Sequence, residues 1–199
     1  MNKAVFIDRD GTLIKNVPYN VDPGSIVLEK NAVEALALLQ RNDYLLIVVA
    51  NQAGVAKGYF NEKDLLNANK QLASLLAAEN VFIDAFYYCP HHPDGTIAAY
   101  ARKCNCRKPA PGMLLQAAQE LQIDLADSWM IGDMLDDVEA GHRAGCKSIL
   151  YDVGNEEEWV MDKYRQPDCK TDNLYKAAGV ICQVDYKPLV AHEPAPESL

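Results

Sequence analysis

Strand-length apolar runs alternate with longer amphipathic segments along this 199-residue chain, and no other feature restricts its fold as strongly. Such alternation is the pattern of a parallel sheet with helices on its faces. Strands are predicted at Ala4–Asp8, Tyr44–Val49, Ile83–Tyr88, Trp129–Ile131 and Ser148–Tyr151. Between them, "NAVEALALLQRN" sets Val33, Leu36 and Leu39 on one stripe behind Asn31 as a predicted N-cap. A second helix is predicted from about Glu62 to Glu79. A third covers "PGMLLQAAQELQ", since proline is tolerated in a first turn, and a fourth covers "LDDVEAGHRAG", closed by Gly145. The expected class is α/β, a three-layer sandwich around a central parallel sheet. One domain is expected over residues 1–187, with the proline-rich end, residues 188–199, as a flexible tail.

Composition narrows the partners. A chain 49% hydrophobic and 24% charged fits one globular domain with a sizeable core. Its formal net charge of −9 disfavours nucleic acid and acidic membrane surfaces, which need a basic face. An anionic small-molecule substrate would need a local pocket of positive charge. No apolar run approaches the ~20 residues that span a bilayer, and no signal-like segment opens the chain, so a soluble, cytoplasmic protein is expected.

Ligands of open parallel sheets sit outside the carboxyl ends of the strands. The string "VFIDRDGTLI" ends a strand on Asp8, keeps a second carboxylate at Asp10 and turns at once on Gly11. Residues two apart on an extended segment project to one side, so Asp8 and Asp10 can address a common site while Arg9 points elsewhere. Neighbouring carboxylates repel unless a cation or a shared proton separates them, and Mg2+ is the natural cation for oxygen ligands and phosphate. A bare D-x-D is equally a solvated turn. However, "WMIGDMLDDVEAG" repeats the arrangement, with Asp133 at a strand end. Asp136 and Asp137 follow at a helix start, where the macrodipole favours acidic residues. Two acid-bearing strand ends point to a joint divalent-metal site.

The stretch "YYCPHHPDGTIAAYARKCNCRKP" places Cys89 and His91 two apart and repeats that spacing at Cys104 and Cys106. Three thiolates and an imidazole are the closed tetrahedral complement of a structural Zn2+. His92 competes with His91 as the ligand. Buried free thiols or a disulfide are the alternatives, the latter disfavoured in a reducing compartment. A four-ligand site leaves no position for substrate, so its role would be to fix the loop that carries Arg107 and Lys108. Cys146, Cys169 and Cys182 fall outside the pattern.

Taken in order, "DRDGT", "VVANQAGVAKG", "CRKP" and "GDMLDD" resemble the four motifs of the haloacid dehalogenase superfamily of aspartate-nucleophile phosphatases. The resemblance implies a Rossmann-like sheet, attack on phosphorus by Asp8, and proton transfer to and from Asp10. It also implies Mg2+ held by Asp8, the Asp10 carbonyl and Asp133, with Lys108 stabilising the phosphate. The zinc loop, "YYCPHHPDG" and "CRKPAPGML" resemble the D-glycero-D-manno-heptose 1,7-bisphosphate 7-phosphatase family, with histidinol-phosphate phosphatase as the nearest rival. That family removes the C7 phosphate on the route to nucleotide-activated heptose for lipopolysaccharide and other surface glycans. By resemblance, Arg107 would grip the second phosphate, Asn16 and Tyr19 would contact substrate, the backbone of Asn51 and Gln52 would face the transferring phosphoryl group, and the working form would be a monomer. Only forty residues separate Asp10 from Asn51, leaving no room for an inserted cap domain. Two positions depart from the family: Ala50 stands where a threonine or serine is usual, and Met134 where lysine is usual. They allow a slower phosphatase, one with shifted substrate preference, or a zinc-stabilised non-catalytic scaffold.

Overall fold

The computed structural model describes residues 1–184. Six strands, β1 (Lys3–Ile7), β2 (Tyr44–Asn51), β3 (Ala85–Cys89), β4 (Trp129–Gly132), β5 (Lys147–Tyr151) and β6 (Cys169–Thr171), form one sheet in the order β3-β2-β1-β4-β5-β6. Every neighbouring pair runs parallel. Among the described residues the α-helices are α1 (Ala32–Arg41), α2 (Ala53–Lys57), α3 (Glu62–Ala78), α4 (Gly112–Leu121), α5 (Leu135–Ala144) and α6 (Leu174–Cys182). This is the Rossmann-like three-layer arrangement, without a cap domain between β1 and β2.

Side-chain alternation along the strands builds both layers. Val5 and Ile7 pack into one core with Leu36 and Leu39 of α1, Leu72 and Leu76 of α3, and Ala177 and Ile181 of α6. Ala4 and Phe6 pack into the other with Met113, Leu114 and Ala117 of α4 and Ala140 of α5. Each fully buried Leu, Ile or Phe contributes about 1.5–3 kcal/mol relative to exposure. Strand order reverses between β1 and β4, and the register pairs Ile7 with Ile131. The residues just past these two strands therefore emerge side by side at the crevice where such sheets bind ligands.

Several sequence expectations shift. β1 stops at Ile7, so Asp8 lies just past the strand, and β3 runs from Ala85 to Cys89 rather than Ile83 to Tyr88. Asn31 does precede α1, but it sits in the left-handed region at φ 62° with no capping bond from its side chain. Its Oδ1 instead accepts from Asn173 Nδ2 at 3.3 Å. α2, β6 and α6 were not anticipated. Asn173 caps α6 by accepting from Tyr175 and Lys176 N–H, and apolar Leu174, Ala177, Ala178 and Ile181 fill its buried face. No helix among the described residues is long and apolar enough to cross a membrane. The expected tail, residues 188–199, lies outside the described residues.

Candidate active site

The carboxyl ends of β1, β2 and β4 converge on one cluster of charged side chains. The Asp8 N–H donates to Ile131 O of β4 at 2.9 Å, then the chain doubles back, with Gly11 N–H donating to Ile14 O at 2.9 Å. Gly11 has φ +93°, and a Cβ there would stand 2.3 Å from Asp133 Oδ2, so the turn admits no side chain. Thr12 Oγ1 donates to Asp133 Oδ1 at 3.0 Å, linking the β1 turn to the acid that follows β4. The "DRDGT" string is therefore one geometric unit: a carboxylate at the strand end, a close glycine turn, and a hydroxyl that orients the opposing acid.

Asp8, Asp133 and Asp137 bring carboxylate oxygens within 4.8 Å of one another, all three buried. Gly132 makes room, since a Cβ there would lie 2.2 Å from Asp137 Cγ. Lys108 enters this group with its side chain 3% exposed. Its Nζ pairs with Asp8 Oδ1 and with Asp137 Oδ1, the latter at 2.6 Å, and donates to Val49 O at 3.0 Å. Burial pushes Asp8 up to about 7, with the Asp133 and Asp10 charges adding and Lys108 opposing. Burial likewise raises Asp137 to about 7, opposed by Lys108 and reinforced by Asp8. Asp133 rises to about 6, from burial and then from Asp137, while bonds from Asn155 and Thr12 oppose the rise. Burial alone would lower Lys108, but the Asp137 and Asp8 carboxylates outweigh it and hold the ammonium above its ordinary range. Three crowded carboxylates against one ammonium, all oxygen donors, suit a hard divalent cation.

Asn51 holds the lysine in place. Its Nδ2 donates to Lys108 O and its Oδ1 accepts from Lys108 N, both at 3.0 Å. Gln52 turns its amide to Asp10, Nε2 donating to Oδ2 at 2.7 Å. Asp10 itself stands outside the three-acid cluster. Arg9 does not point away from it: Arg9 Nη1 donates to Asp10 Oδ1 at 2.9 Å and Oδ2 at 3.2 Å. The alternation expected of an extended segment fails because the turn begins directly after Asp8.

Two adjoining pockets share Asp10, Asn51 and Arg107. The first, about 230 Å3, is also lined by Asp8, Lys108, Asp133, Met134 and Asp137. The second, about 300 Å3, is closed by the 16–20 loop with Asn16 and Tyr19, and by Gln52 and Gly54 of the segment after β2. Tyr19 OH accepts from Lys57 Nζ at 2.8 Å, and its ring meets Tyr59 edge-on at 4.6 Å. Arg107 Nη1 is buried and has no hydrogen-bond partner among the described residues. Buried donors are normally paired, and the Arg107 side chain also lines both pockets.

Cys89, His91, Cys104 and Cys106 form a separate cluster. Cys89, Cys104 and Cys106 Sγ atoms stand 3.1–3.4 Å apart, and His91 Nδ1 is 3.7 Å from Cys89 Sγ and 3.3 Å from Cys106 Sγ. A tetrahedral zinc site with ordinary bond lengths has S–S edges of about 3.8 Å and S–N edges of about 3.5 Å; the sulfurs stand a few tenths of an ångström closer than that, and the four donors form one cluster of the type and number that such an ion takes. His92 is outside the cluster, with its Nδ1 accepting from Asp94 N. The chain of connection is short, because Cys106 is followed directly by Arg107 and Lys108.

Sequence reasoning missed two members of the site. Asp137, noted only as following Asp133 at a helix start, lies one turn beyond it and reaches Lys108. Asn155 Nδ2 donates to Asp133 Oδ2 at 2.8 Å from the irregular 152–168 loop, which carries no local signal. The next residue, Glu156, accepts from Leu135 N at 2.6 Å at the start of α5, which fixes this loop against the site. Asp136, read as helix-start charge, pairs with Arg165 at 2.5 Å.

Residues 105–177 match the family described as HAD-hydrolase-like. A D-glycero-beta-D-manno-heptose-1,7-bisphosphate 7-phosphatase of Pasteurella multocida is 44% identical over 150 residues, covering 75% of this chain and 81% of that protein. The chain belongs to the heptose-bisphosphate phosphatase family of HAD-like hydrolases. An Escherichia coli member with the same name is 36% identical over 168 residues, covering 80% of this chain and 88% of that one. Among solved structures, a HAD-like phosphatase from Mesorhizobium loti is 32% identical, with TM-score 0.81 over 94% of this chain and 90% of that one. The D,D-heptose 1,7-bisphosphate phosphatase of B. bronchiseptica, solved with magnesium and phosphate, is 27% identical with TM-score 0.77, covering 91% of this chain and 98% of that one. The chain is thus a phosphoric monoester hydrolase carrying two side-chain clusters able to hold metal ions.

Proposed function

We propose that this enzyme removes the C7 phosphate of D-glycero-β-D-manno-heptose 1,7-bisphosphate, through phosphorylation of Asp8, in the making of nucleotide-activated heptose for surface glycans. The observation that carries the reading is the pair of pockets that share Arg107, one ending on Asp8 and the other bounded by the 16–20 loop. A bisphosphate needs two such stations. In the first step an Asp8 oxygen attacks phosphorus, the bond from phosphorus to the sugar oxygen breaks, and Asp10 gives that oxygen its proton. In the second, Asp10 takes a proton from water, which attacks the aspartyl-phosphate and releases inorganic phosphate, restoring Asp8. Lys108, held by Asp137 and Asn51, faces the charge on the phosphoryl oxygens. Mg2+ held by Asp8, the Asp10 carbonyl and Asp133 would offset that same charge. Zn2+ held by Cys89, His91, Cys104 and Cys106 would staple the loop that presents Arg107 and Lys108. Asn16 and Tyr19 would bound the sugar, with the Asn51 and Gln52 backbone toward the phosphoryl group. The family resemblance extends to a cytoplasmic monomer as the working form.

Mg2+-dependent phosphate release from both anomers of the heptose bisphosphate, histidinol phosphate and simple sugar phosphates tests the reading. The β-heptose bisphosphate should give the highest kcat/KM. Release from none of them by metal-loaded protein would favour the scaffold reading that Ala50 left open. Arg107→Ala should raise KM for the bisphosphate about 10- to 100-fold, the worth of a charge-assisted bond, and leave a heptose 7-monophosphate within about threefold. Equal effects on both would remove Arg107 from the second phosphate. Ala50→Thr should raise kcat at least tenfold if the missing hydroxyl is a handicap, since one positioned donor is worth about 10²-fold or more. An unchanged rate would mean that another group supplies the bond.

The acid cluster also fixes a pH dependence. Asp8, Asp133 and Asp137 have folded-state values of about 7, 6 and 7, above their unfolded value near 3.8. Between these limits the folded state binds more protons, so the metal-free protein should lose stability as pH rises from about 4 to about 7. Saturating Mg2+ at 100 times its Kd would contribute about 2.7 kcal/mol, a rise of roughly 5–10 °C for a domain of this size. Thermal melts at pH 5 and pH 8 should show the larger Mg2+ effect at pH 8. Equal effects at both would contradict binding to these carboxylates.

A further inference from the structure

Arg9 is the largest of the fully buried side chains, 1% exposed in the described structure. Among the described residues its Nε and Nη2 are buried without a hydrogen-bond partner, and its one ion pair is with the Asp10 carboxylate. Burying a guanidinium with incomplete pairing is costly, and an apolar side chain of similar volume would fill the same space without that cost. Packing therefore does not explain an arginine here. The Asp10 carboxylate, by contrast, is 29% exposed and lines both pockets. It accepts from Arg9 Nη1 on both oxygens and from Gln52 Nε2 on Oδ2. An ionised carboxylate has about four acceptor sites, so Arg9 and Gln52 take three and about one is left for a proton passing to or from the pocket.

We propose that Arg9 is a positioning residue for proton transfer: with Gln52 it clamps the Asp10 carboxylate in one orientation toward the leaving oxygen and the hydrolytic water. The inference rests on the reading of Asp10 as the acid and base. A loosened Asp10 should matter most where the leaving oxygen must be protonated, as in a sugar ester. It should matter little for p-nitrophenolate, which departs without a proton.

The test compares wild type, Arg9→Met, Arg9→Lys and Asp10→Asn, all metal-loaded, by first-turnover rates on D-glycero-β-D-manno-heptose 1,7-bisphosphate and on p-nitrophenyl phosphate. A positioned general acid contributes roughly 10²- to 10⁴-fold, so Arg9→Met should slow first-turnover release of the sugar at least 30-fold. Its p-nitrophenol burst should stay within about threefold of wild type, and KM for the sugar within the same limit. Arg9→Lys keeps the charge but lacks the planar fork, and should show a smaller ratio of the same sign; it carries the test if Arg9→Met does not fold. Equal losses on the two substrates would overturn the proposal in favour of a merely structural arginine, as would unchanged sugar release. If Asp10→Asn itself shows no leaving-group dependence, the acid and base reading falls and takes the proposal with it. If Asp10→Asn shows it and neither Arg9 variant does, the proposal falls alone.

Discussion

Replacing Asp8 by asparagine should lower phosphate release by at least about 10⁴-fold while the folded protein survives intact. Removing an attacking group that acts within a concerted set costs on that order in kcat, and an amide oxygen cannot form the acyl-phosphate. Stability should hold for a reason specific to this cluster. Asp8 is crowded by Asp133 and Asp137, its carboxyl held at about 7 by burial, so losing its charge relieves repulsion. Lys108 keeps its 2.6 Å pair with Asp137 and its bond to Val49 O. The melting temperature should therefore stay within a few degrees of wild type or rise. Phosphate release, melting curves and acid-quenched labelling of the protein by radioactive phosphate check the three parts. Retention of more than about 1% of wild-type turnover would sink the covalent route.

Cys104→Ser should release most of the bound zinc and lower both stability and turnover. Cys104 Sγ is 3.4 Å from Cys89 and 3.3 Å from Cys106, so the substitution removes one corner of the tetrahedron. Structural zinc is worth about 10–16 kcal/mol where it is the main source of folding energy. Here much of the loop is held without it: Asn51 clamps Lys108, and Gly112 N–H donates to Asn105 O at 2.9 Å. A loss nearer 3 kcal/mol is therefore expected, equivalent to about 6–12 °C for a chain of this length. Turnover should fall about tenfold to a hundredfold as Arg107 and Lys108 lose their fixed position, since small misplacements of such groups are costly. Zinc content by atomic absorption, melts and kcat measure these effects. Full zinc occupancy in the variant would show that Cys104 is not a ligand.

The three-layer architecture could be read from the chain because each strand is a run of apolar residues and each long helix an amphipathic repeat, both local patterns. β6 and α6 escaped because a three-residue edge strand has no period to detect, and α6 borders a polar, proline-rich end. The strand-end acids Asp8 and Asp133 and the Cys–His spacing were equally local, as short motifs tied to strand ends and turns. Asp137, Asn155 and the Arg9–Gln52 clamp were not. Asp137 acts through Lys108, 29 positions earlier, and Asn155 reaches Asp133 from an irregular loop.

The sequence by itself determined which side chains stand at the strand ends and turns, namely the acids Asp8, Asp10 and Asp133, the lysine at 108 and the Cys–His pairs, because those patterns are local; the roles proposed for them came from the family resemblance. Only the tertiary structure decided which of them touch. Lys108 is held charged by two carboxylates from other elements, the Asn51 side chain braces the Lys108 peptide, and Arg9 turns onto Asp10 because the chain bends there. Hydrogen bonds and charge pairs act over a few ångströms, and the fold alone brings residues 8, 108, 133 and 137 within that distance.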